Sequence, residues 1–331
     1  MNFQIRYELP DKIKFAAILL VLAGHLTFPA GAIHWIYSFH MPLFFIISGA
    51  FAKGLDGRFS DFAKRQFKRL ILPYFIFGAL LLAHYCVYAQ FAKYGRMEID
   101  FAEILKRFAL GNLSVLWFLS ALFFASIFCF LSGKISRSPK FLLPFTLAIA
   151  VCAARLLRGT EGFWCANIAL VALFYFELGS LLMRAHSQKP EAFKAADSPL
   201  APMAGLTLCA AAFFACPFNL PYEMATMRFG NPLLYIPISI AGCGGIALLA
   251  KRIPYCAPVR WIAANTLTIF CTHLIVYSWC RGALKIFFSI SYPETFTART
   301  LAINLLLMAA ALLAAVPVKF CLNKIFPTIV R

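Results

Sequence analysis

Apolar runs of about 17 to 25 residues recur from one end of this chain to the other, separated by short segments that carry charges, proline or glycine. A run of this length is sufficient for an α-helix to cross the hydrocarbon core of a bilayer. No stretch shows the alternation over about ten residues that is typical of a transmembrane strand. The sequence therefore predicts an all-α fold, a polytopic membrane helical bundle.

We expect about ten transmembrane helices. Hydrophobic residues make up 62% of the chain and charged residues only 13%, which leaves too little polar surface for a soluble globular protein. The longest polar stretch, residues 186–198, is too short to fold alone, so we predict a single transmembrane domain covering residues 1–331. The predicted spans are residues 14–31, 34–52, 70–90, 114–132, 141–157, 163–183, 200–217, 232–250, 259–280 and 299–320.

The net charge of +18 would suggest nucleic-acid binding in a soluble protein, but in a membrane protein the placement of Lys and Arg first reports orientation. About two-thirds of the 31 basic residues flank the same end of the predicted spans as the N-terminus. This bias predicts that both termini are cytoplasmic and that no nucleic acid is bound. The 11 cysteines lie mostly in apolar runs without a CxxC motif, which predicts neither a disulfide framework nor a metal site.

Three histidines lie inside predicted spans, and an ionisable group at that depth suggests a function. His25 and His40 flank a predicted hairpin turn centred on residues 32–33, which would place both imidazoles roughly 9 Å below the outer boundary. His273 should reach a comparable level from the opposite face. Three imidazoles at one depth predict a site. The alternative is that each histidine only packs between helices and bonds a neighbouring carbonyl.

Basic residues mark the predicted cytoplasmic end. Lys14 precedes His25 by eleven residues, about three helical turns, so both can line one groove roughly 16 Å apart. These cations could bind phosphates, or they could reflect only the excess of positive charge on cytoplasmic loops. A short predicted helix before the third span carries the other members of this group, Lys64, Arg65, Lys68 and Arg69.

Several motifs together resemble those of the acyltransferase 3 family of multi-span membrane O-acyltransferases. The run KFAAILLVLAGH is followed by SFHMPLFFIISG and then by KRLILPY at residues 68–74. The stretches LGNLSVLWFLSALFF, ALFYFELGSLL and ANTLTIFCTHLI follow in order. Within the family, the chain is most similar to the group that includes fucose 4-O-acetylase and related sugar acetyltransferases.

The resemblance implies acetyl transfer from cytoplasmic acetyl-CoA to a hydroxyl of a cell-surface carbohydrate or its precursor, by a multi-pass protein of the bacterial inner membrane. The family's basic residue, ten-residue spacer and histidine fall on Lys14 and His25, and its second histidine falls on His40. Two positions differ from the usual pattern, because Lys14 stands where many relatives have Arg and Phe15 stands where a small residue is usual. We expect His25 and His40 to be catalytic. The other expected site residues are Lys14, Arg65, Lys68 and Arg69 for the donor, and Asn112, Trp117 and His273 for the acceptor.

Other functions also suit a polytopic chain with buried histidines. A transporter or flippase of a polar lipid or sugar would line a pathway with His25 and Lys14, but no internal repeat is visible and Glu177 is the only carboxylate well inside a predicted span. A lipid-linked glycosyltransferase would be expected to carry acidic metal-binding groups on a loop. For acyl transfer, the sequence leaves open whether His25 is a general base or a nucleophile that carries the acetyl group.

Overall fold

Nearly all of the described chain is helical. The computed structural model describes residues 5–92, 100–136 and 138–325, and within these ranges it has α-helices and no strand. A π-helical turn, Phe67–Ile71, joins α3 to α4. The α-helices are α1 (Ile5–Gly24), α2 (Ala30–Ala50), α3 (Phe59–Gln66), α4 (Leu72–Ala92), α5 (Phe101–Ala109), α6 (Trp117–Ile135), α7 (Pro139–Leu156), α8 (Ala166–Gln188), α9 (Ala201–Ala215), α10 (Pro232–Ala250), α11 (Ala257–Ala264), α12 (Thr266–Phe288) and α13 (Ala298–Ile325).

Nine helical stretches within the described residues are long and apolar enough to cross a membrane, which confirms a polytopic helical bundle. The predicted first span, residues 14–31, is wrong in its C-terminal boundary because α1 ends at Gly24. Pro29, which has no backbone N–H, lies in the connection that follows and cannot continue a helical ladder. The first half of α1 is also too charged for a simple span, since it carries Glu8, Asp11, Lys12 and Lys14.

The predicted span at residues 259–280 is in fact two helices. Asn265 separates α11 from α12, and its side-chain amide donates a hydrogen bond to the Trp261 carbonyl oxygen at 2.8 Å. The second helix, α12, then continues to Phe288, eight residues beyond the predicted end. Arg281, which the sequence pattern places in a loop, is therefore part of a helix that also carries His273.

Two glycines set the closest helix contact in the core, between α2 and α8. A Cβ atom at Gly49 would overlap the carbonyl oxygen of Phe176, and one at Gly179 would overlap that of Ile46. Small residues at such a contact allow two backbones to approach and gain dispersion energy along their whole length. The small-residue end of α2 therefore holds this helix, with His40 on it, against the centre of the bundle.

The helices α1 and α2 run antiparallel, so this part of the molecule has two ends that differ in chemistry. We name the end at which α1 stops and α2 starts the histidine end, and the end at which α2 stops and α3 starts the basic end. At the basic end the Tyr255 hydroxyl donates a hydrogen bond to Asp11 at 2.9 Å, which ties the segment before α11 to α1. Which end faces the cytoplasm stays a prediction from the distribution of Lys and Arg.

Candidate active site

The connection between α1 and α2 brings His25 beside the first half of α2, the helix that carries His40. Gly24 packs against the side chains of Ile36 and Tyr37, and the Tyr37 hydroxyl donates a hydrogen bond to the Gly24 carbonyl oxygen at 3.2 Å. Since α2 starts six residues before Ile36, it extends about 9 Å beyond the end of α1. The hairpin is thus uneven rather than symmetric, and His40, four residues further along α2 than Ile36, lies about 6 Å further from the histidine end than the Gly24 contact.

A third imidazole comes from α12. The ring of His273 lies 5.0 Å from that of His25, measured between centroids, with an angle of 44° between the ring planes. One turn further along α12, the Tyr277 hydroxyl donates a hydrogen bond to the Leu22 carbonyl oxygen at 3.1 Å. This bond fixes α12 against α1. The structure therefore brings His25 and His273 into direct ring contact, and His40 lies on the neighbouring helix α2.

The three histidines differ in exposure. His40 is 5% exposed and His273 is 0% exposed, whereas His25 is only partly buried. His25 is therefore the most accessible histidine of the three. His273, which the sequence suggested as an acceptor-binding residue, lies behind His25.

Backbone carbonyls orient the two buried rings. Nδ1 of His40 lies 2.8 Å from the Ile36 carbonyl oxygen, and Nδ1 of His273 lies 2.7 Å from that of Phe270. A carbonyl oxygen only accepts hydrogen bonds, so Nδ1 carries the proton in both rings, and in a neutral ring Nε2 is then an acceptor. Bonding of neighbouring carbonyls, the packing interpretation of these histidines, thus accounts for one nitrogen of each buried ring.

The second nitrogen of His273 is not accounted for by packing. Its Nε2 atom is buried and has no hydrogen-bond partner among the described residues. An N–H group of the adjacent His25 ring directed at this acceptor would satisfy it. The other nitrogen of His25 would then keep a free lone pair, which is the form that a general base or a nucleophile requires.

Aromatic side chains surround the buried face of the histidine cluster and connect it to Trp117. The Phe270 ring lies 6.1 Å from the His273 ring and 5.3 Å from that of Phe118. Phe118 in turn lies 6.1 Å from Trp117, the first residue of α6, which is 8% exposed. Trp117 is therefore linked to the histidines through two phenylalanines. This packing excludes water from the side of the cluster that faces the core.

Asn112, the other predicted acceptor residue, lies in a different groove. It lines a cavity of about 110 Å³ together with Lys106, Arg107, Glu161 and Phe163. The backbone N–H of Asn112 donates a hydrogen bond to the Arg107 carbonyl oxygen at 2.9 Å. No histidine lines this cavity.

Lys14 lies at the basic end, about three turns from the histidines. Its ammonium nitrogen is 3.6 Å from a carboxylate oxygen of Asp11 and 6.0 Å from the centre of the Phe51 ring. Phe51 follows His40 by eleven residues, and Lys14 precedes His25 by the same number. The two helices thus keep both ends in register over about 16 Å.

The predicted basic cluster is exposed. Arg65 is on α3 and its guanidinium packs against Gly54, whose φ of +79° is in the left-handed region. A cavity of about 200 Å³ lies beside this connection and is lined by Gly49, Gly54 and Arg184 among others. Lys68 and Arg69 are on the π-helical turn, a distortion that is often found at functional sites. The exposed side chains are those of Lys64, Arg65, Lys68 and Arg69.

Sequence reasoning missed the part that Arg281 plays at the histidine end. Its Nη2 atom donates a hydrogen bond to the His25 carbonyl oxygen at 3.2 Å. The signal that could have found it is the spacing of His273, Tyr277 and Arg281, which are four residues apart and so share one side of α12. The predicted helix end at residue 280 obscured this pattern.

Three neighbouring imidazoles could in principle bind zinc, since zinc is commonly held by histidine nitrogens. Within the described part of the chain, no group of three or more His, Cys, Asp or Glu side chains is placed to hold a metal ion. The Nδ1 atoms of His40 and His273 are engaged by carbonyls. Each of the two buried rings therefore has one nitrogen that is already held by the backbone.

Comparison with known proteins identifies the family. A family model described as an acyltransferase domain, Acyl_transf_3, matches residues 10–324. Searches of curated proteins and of solved structures gave no match. The family match supports an enzyme and speaks against a transporter, a flippase or a glycosyltransferase. With its helices of membrane-spanning length, this multi-pass membrane protein belongs to the acyltransferase 3 family.

Proposed function

We propose that this acyltransferase moves an acetyl group from acetyl-CoA to a hydroxyl of a cell-surface carbohydrate or its precursor. The observation that carries the proposal is the partly exposed His25 in ring contact with the buried His273, whose Nε2 atom has no hydrogen-bond partner among the described residues. An acyl-transfer enzyme needs one accessible base or nucleophile whose orientation is fixed, and His25 meets that requirement. We further propose that the chain works as one domain in the bacterial inner membrane, with the sugar acetyltransferases of the fucose 4-O-acetylase type as its functional model.

His25 has two chemically complete roles, and the proposal includes both. As general base, it takes the proton of the acceptor hydroxyl while that oxygen attacks the thioester carbonyl, the C–S bond breaks and the proton passes to the leaving thiolate. As nucleophile, its free nitrogen attacks the thioester carbonyl and the C–S bond breaks with the thiolate as leaving group; the acceptor oxygen then attacks the acetyl-imidazole, the C–N bond breaks, and the hydroxyl proton passes to the thiolate. In either case His273 accepts a hydrogen bond from the second nitrogen of His25, and His40 supports the cluster from α2.

The basic end is proposed to bind the donor. Phosphates and guanidinium or ammonium groups form strong, charge-assisted hydrogen bonds. Exposed side chains suit this role because the donor arrives from water. The distance of about 16 Å between Lys14 and His25 then has to be covered by the extended arm of the donor, which carries the thioester at its far end. The residues assigned to the donor are Lys14, Arg65, Lys68 and Arg69.

The acceptor is proposed to bind at the histidine end. Trp117 offers an aromatic ring near the cluster, although its 8% exposure means that only an edge is available in this conformation. Asn112 offers amide donors and acceptors in its own groove, which suits a more distant part of a long carbohydrate. In this arrangement His273 acts through His25 and does not touch the acceptor.

The test is acetyl transfer in sealed membrane vesicles of known orientation. Acetyl-CoA labelled in the acetyl group is supplied either at the predicted cytoplasmic face or at the opposite face, and surface carbohydrate is then analysed by mass spectrometry. We expect the label in carbohydrate only when the donor is at the cytoplasmic face and only when the protein is present. Transfer from the opposite face would overturn the assignment of the basic end, and unlabelled carbohydrate in both arrangements would overturn the proposed function.

A further inference from the structure

Two tyrosine rings position the Arg281 guanidinium beside His25. The centre of this guanidinium lies 3.9 Å from the centroid of the Tyr292 ring and 5.8 Å from that of Tyr277. A cation over an aromatic face is attracted by the ring quadrupole, and a planar guanidinium also stacks well. The guanidinium is therefore held in a defined plane next to His25, which is the partly exposed histidine of the cluster.

The Tyr292 ring is itself held by partly buried hydrogen bonds. The Tyr292 hydroxyl donates to the Asn304 side-chain oxygen at 2.7 Å and accepts from the Thr27 backbone N–H at 2.8 Å. The Asn304 amide, which is 0% exposed, donates to the Thr27 carbonyl oxygen at 2.7 Å. These bonds join α13 to the connection that carries His25. The position of the Arg281 side chain is thus fixed by these contacts, unlike that of a solvated surface residue.

Arg281 nevertheless has unused hydrogen-bonding capacity. Its Nη2 atom bonds the His25 carbonyl, while its Nε atom is buried and has no hydrogen-bond partner among the described residues. No carboxylate in the described chain forms an ion pair with it; the nearest acidic residue in sequence, Glu294, is exposed. A partly buried guanidinium without a carboxylate partner is costly unless a ligand supplies the missing negative charge.

We propose that Arg281 is an anion subsite on the acceptor side of His25, and that the carbohydrate acceptor carries a carboxylate or a phosphate group. The inference rests on the proposed function, because it takes His25 as the point of transfer. Guanidinium binds both groups with paired hydrogen bonds. Binding there would hold the acceptor hydroxyl close to the His25 ring and would select acidic sugars over neutral ones.

The experiment measures equilibrium binding of three soluble probes to the purified full-length protein in phospholipid nanodiscs. The probes are methyl glucuronide, methyl glucoside 6-phosphate and methyl glucoside. We expect one or both anionic probes to bind about 10- to 100-fold more tightly than the neutral one. The carboxylate and phosphate probes distinguish the two acceptor chemistries. Equal binding of all three probes to the unaltered protein would overturn the proposal.

Variants separate a ligand-binding role from a structural one. Arg281→Gln should remove the preference for the anionic probes while leaving methyl glucoside binding unchanged, and Arg281→Lys should keep part of the preference. Lys285→Gln, a matched change one turn further along α12 at an exposed position, should keep all of it. A preference that survives Arg281→Gln would show that the anion binds elsewhere. Equal losses for charged and neutral probes would assign Arg281 a structural role only.

A final binding measurement, with acetyl-CoA present, tests whether the anion subsite binds the acceptor or the donor. Saturating acetyl-CoA should leave the binding of the anionic probes intact, because its phosphates are assigned to the basic end. Loss of probe binding under acetyl-CoA would place the anion subsite on the donor and overturn the proposal. Because these measurements require no acetyl transfer, their outcome is independent of the vesicle experiment that tests the proposed function.

Discussion

The two ends of the α1–α2 pair both carry ionisable side chains, but they hold them in opposite ways. At the histidine end, His40 and His273 are buried and their Nδ1 atoms are fixed by carbonyl oxygens. At the basic end, Lys64, Arg65, Lys68 and Arg69 are exposed. Chemistry needs groups whose geometry is fixed before the substrate arrives, whereas capture of an anionic donor from water needs accessible charge. The contrast supports the proposed assignment of catalysis to one end and of donor binding to the other.

The largest expected effect is on the chemical step at the histidine end. His25→Ala should lower kcat for acetyl transfer by about 10³-fold or more, because it removes the base or nucleophile. The measurement is the initial rate of label transfer in membrane vesicles. His186→Ala is the control, since His186 is exposed at the far end of α8 and should change kcat less than twofold. If the two variants transfer label at similar rates, His25 does not carry out the chemical step and the contrast between the two ends fails.

The next effect concerns the buried partner of His25. His273→Leu should lower kcat by about 10- to 100-fold with little change in KM, because it removes the acceptor that orients His25. His84→Leu is a close control: His84 is a histidine of α4 whose Nδ1 also lacks a partner among the described residues, and its ring contacts Tyr85, Tyr88 and Trp279. If His84→Leu lowers kcat as much as His273→Leu does, then the loss of any such histidine lowers kcat, and contact with His25 is not the cause.

At the basic end we expect a smaller effect, and we expect it on the KM for acetyl-CoA. Lys14→Gln or Arg69→Gln should raise the KM for acetyl-CoA by about tenfold each, equivalent to ~1.4 kcal/mol, and should leave kcat nearly unchanged. Higher salt should raise the same KM because exposed charges are screened. Lys189→Gln, at another exposed position after α8, is the control. A fall in kcat with unchanged KM would place these residues in the chemistry instead.

The smallest effect on catalysis is expected from the contact that holds α2 in place. Gly49→Ala should lower the stability of the protein in detergent by about 1 to 3 kcal/mol, because its Cβ would overlap the Phe176 carbonyl, while the protein that remains folded keeps its kcat. Gly133→Ala is the matched change, since a Cβ there meets nothing within 4 Å, and it should stabilise by up to about 1 kcal/mol. Thermal unfolding followed in parallel for both variants measures the difference.

Hydrophobic run length predicted most of the fold, because a bilayer allows few alternatives to a helix. It failed where the polar pattern inside a run decides the boundary. α1 stops at Gly24 instead of continuing to residue 31, and Asn265 divides the predicted ninth span. Both errors were local, and neither changed the fold class.

The sequence predicted three histidines at one depth, but not how each ring is held. Spacing along a helix predicts depth, and depth alone suggested that His25, His40 and His273 are at one level. The carbonyl partners of the buried rings, and the Nε2 atom of His273 that has no partner among the described residues, depend on side-chain rotamers and on contacts between helices far apart in the chain. Arg281 was missed for the same reason, because its partner His25 is 256 residues away.

The separation of chemistry from donor binding is tested most directly by the binding of acetyl-CoA to the His25→Ala variant. The dissociation constant is measured for the purified variant and for the unaltered protein, alongside acetyl transfer by the same samples. We predict dissociation constants that agree within about twofold, together with a loss of transfer of about 10³-fold or more. If His25→Ala instead loses donor binding along with transfer, chemistry and donor binding are not separated between the histidine end and the basic end, and the central claim is wrong.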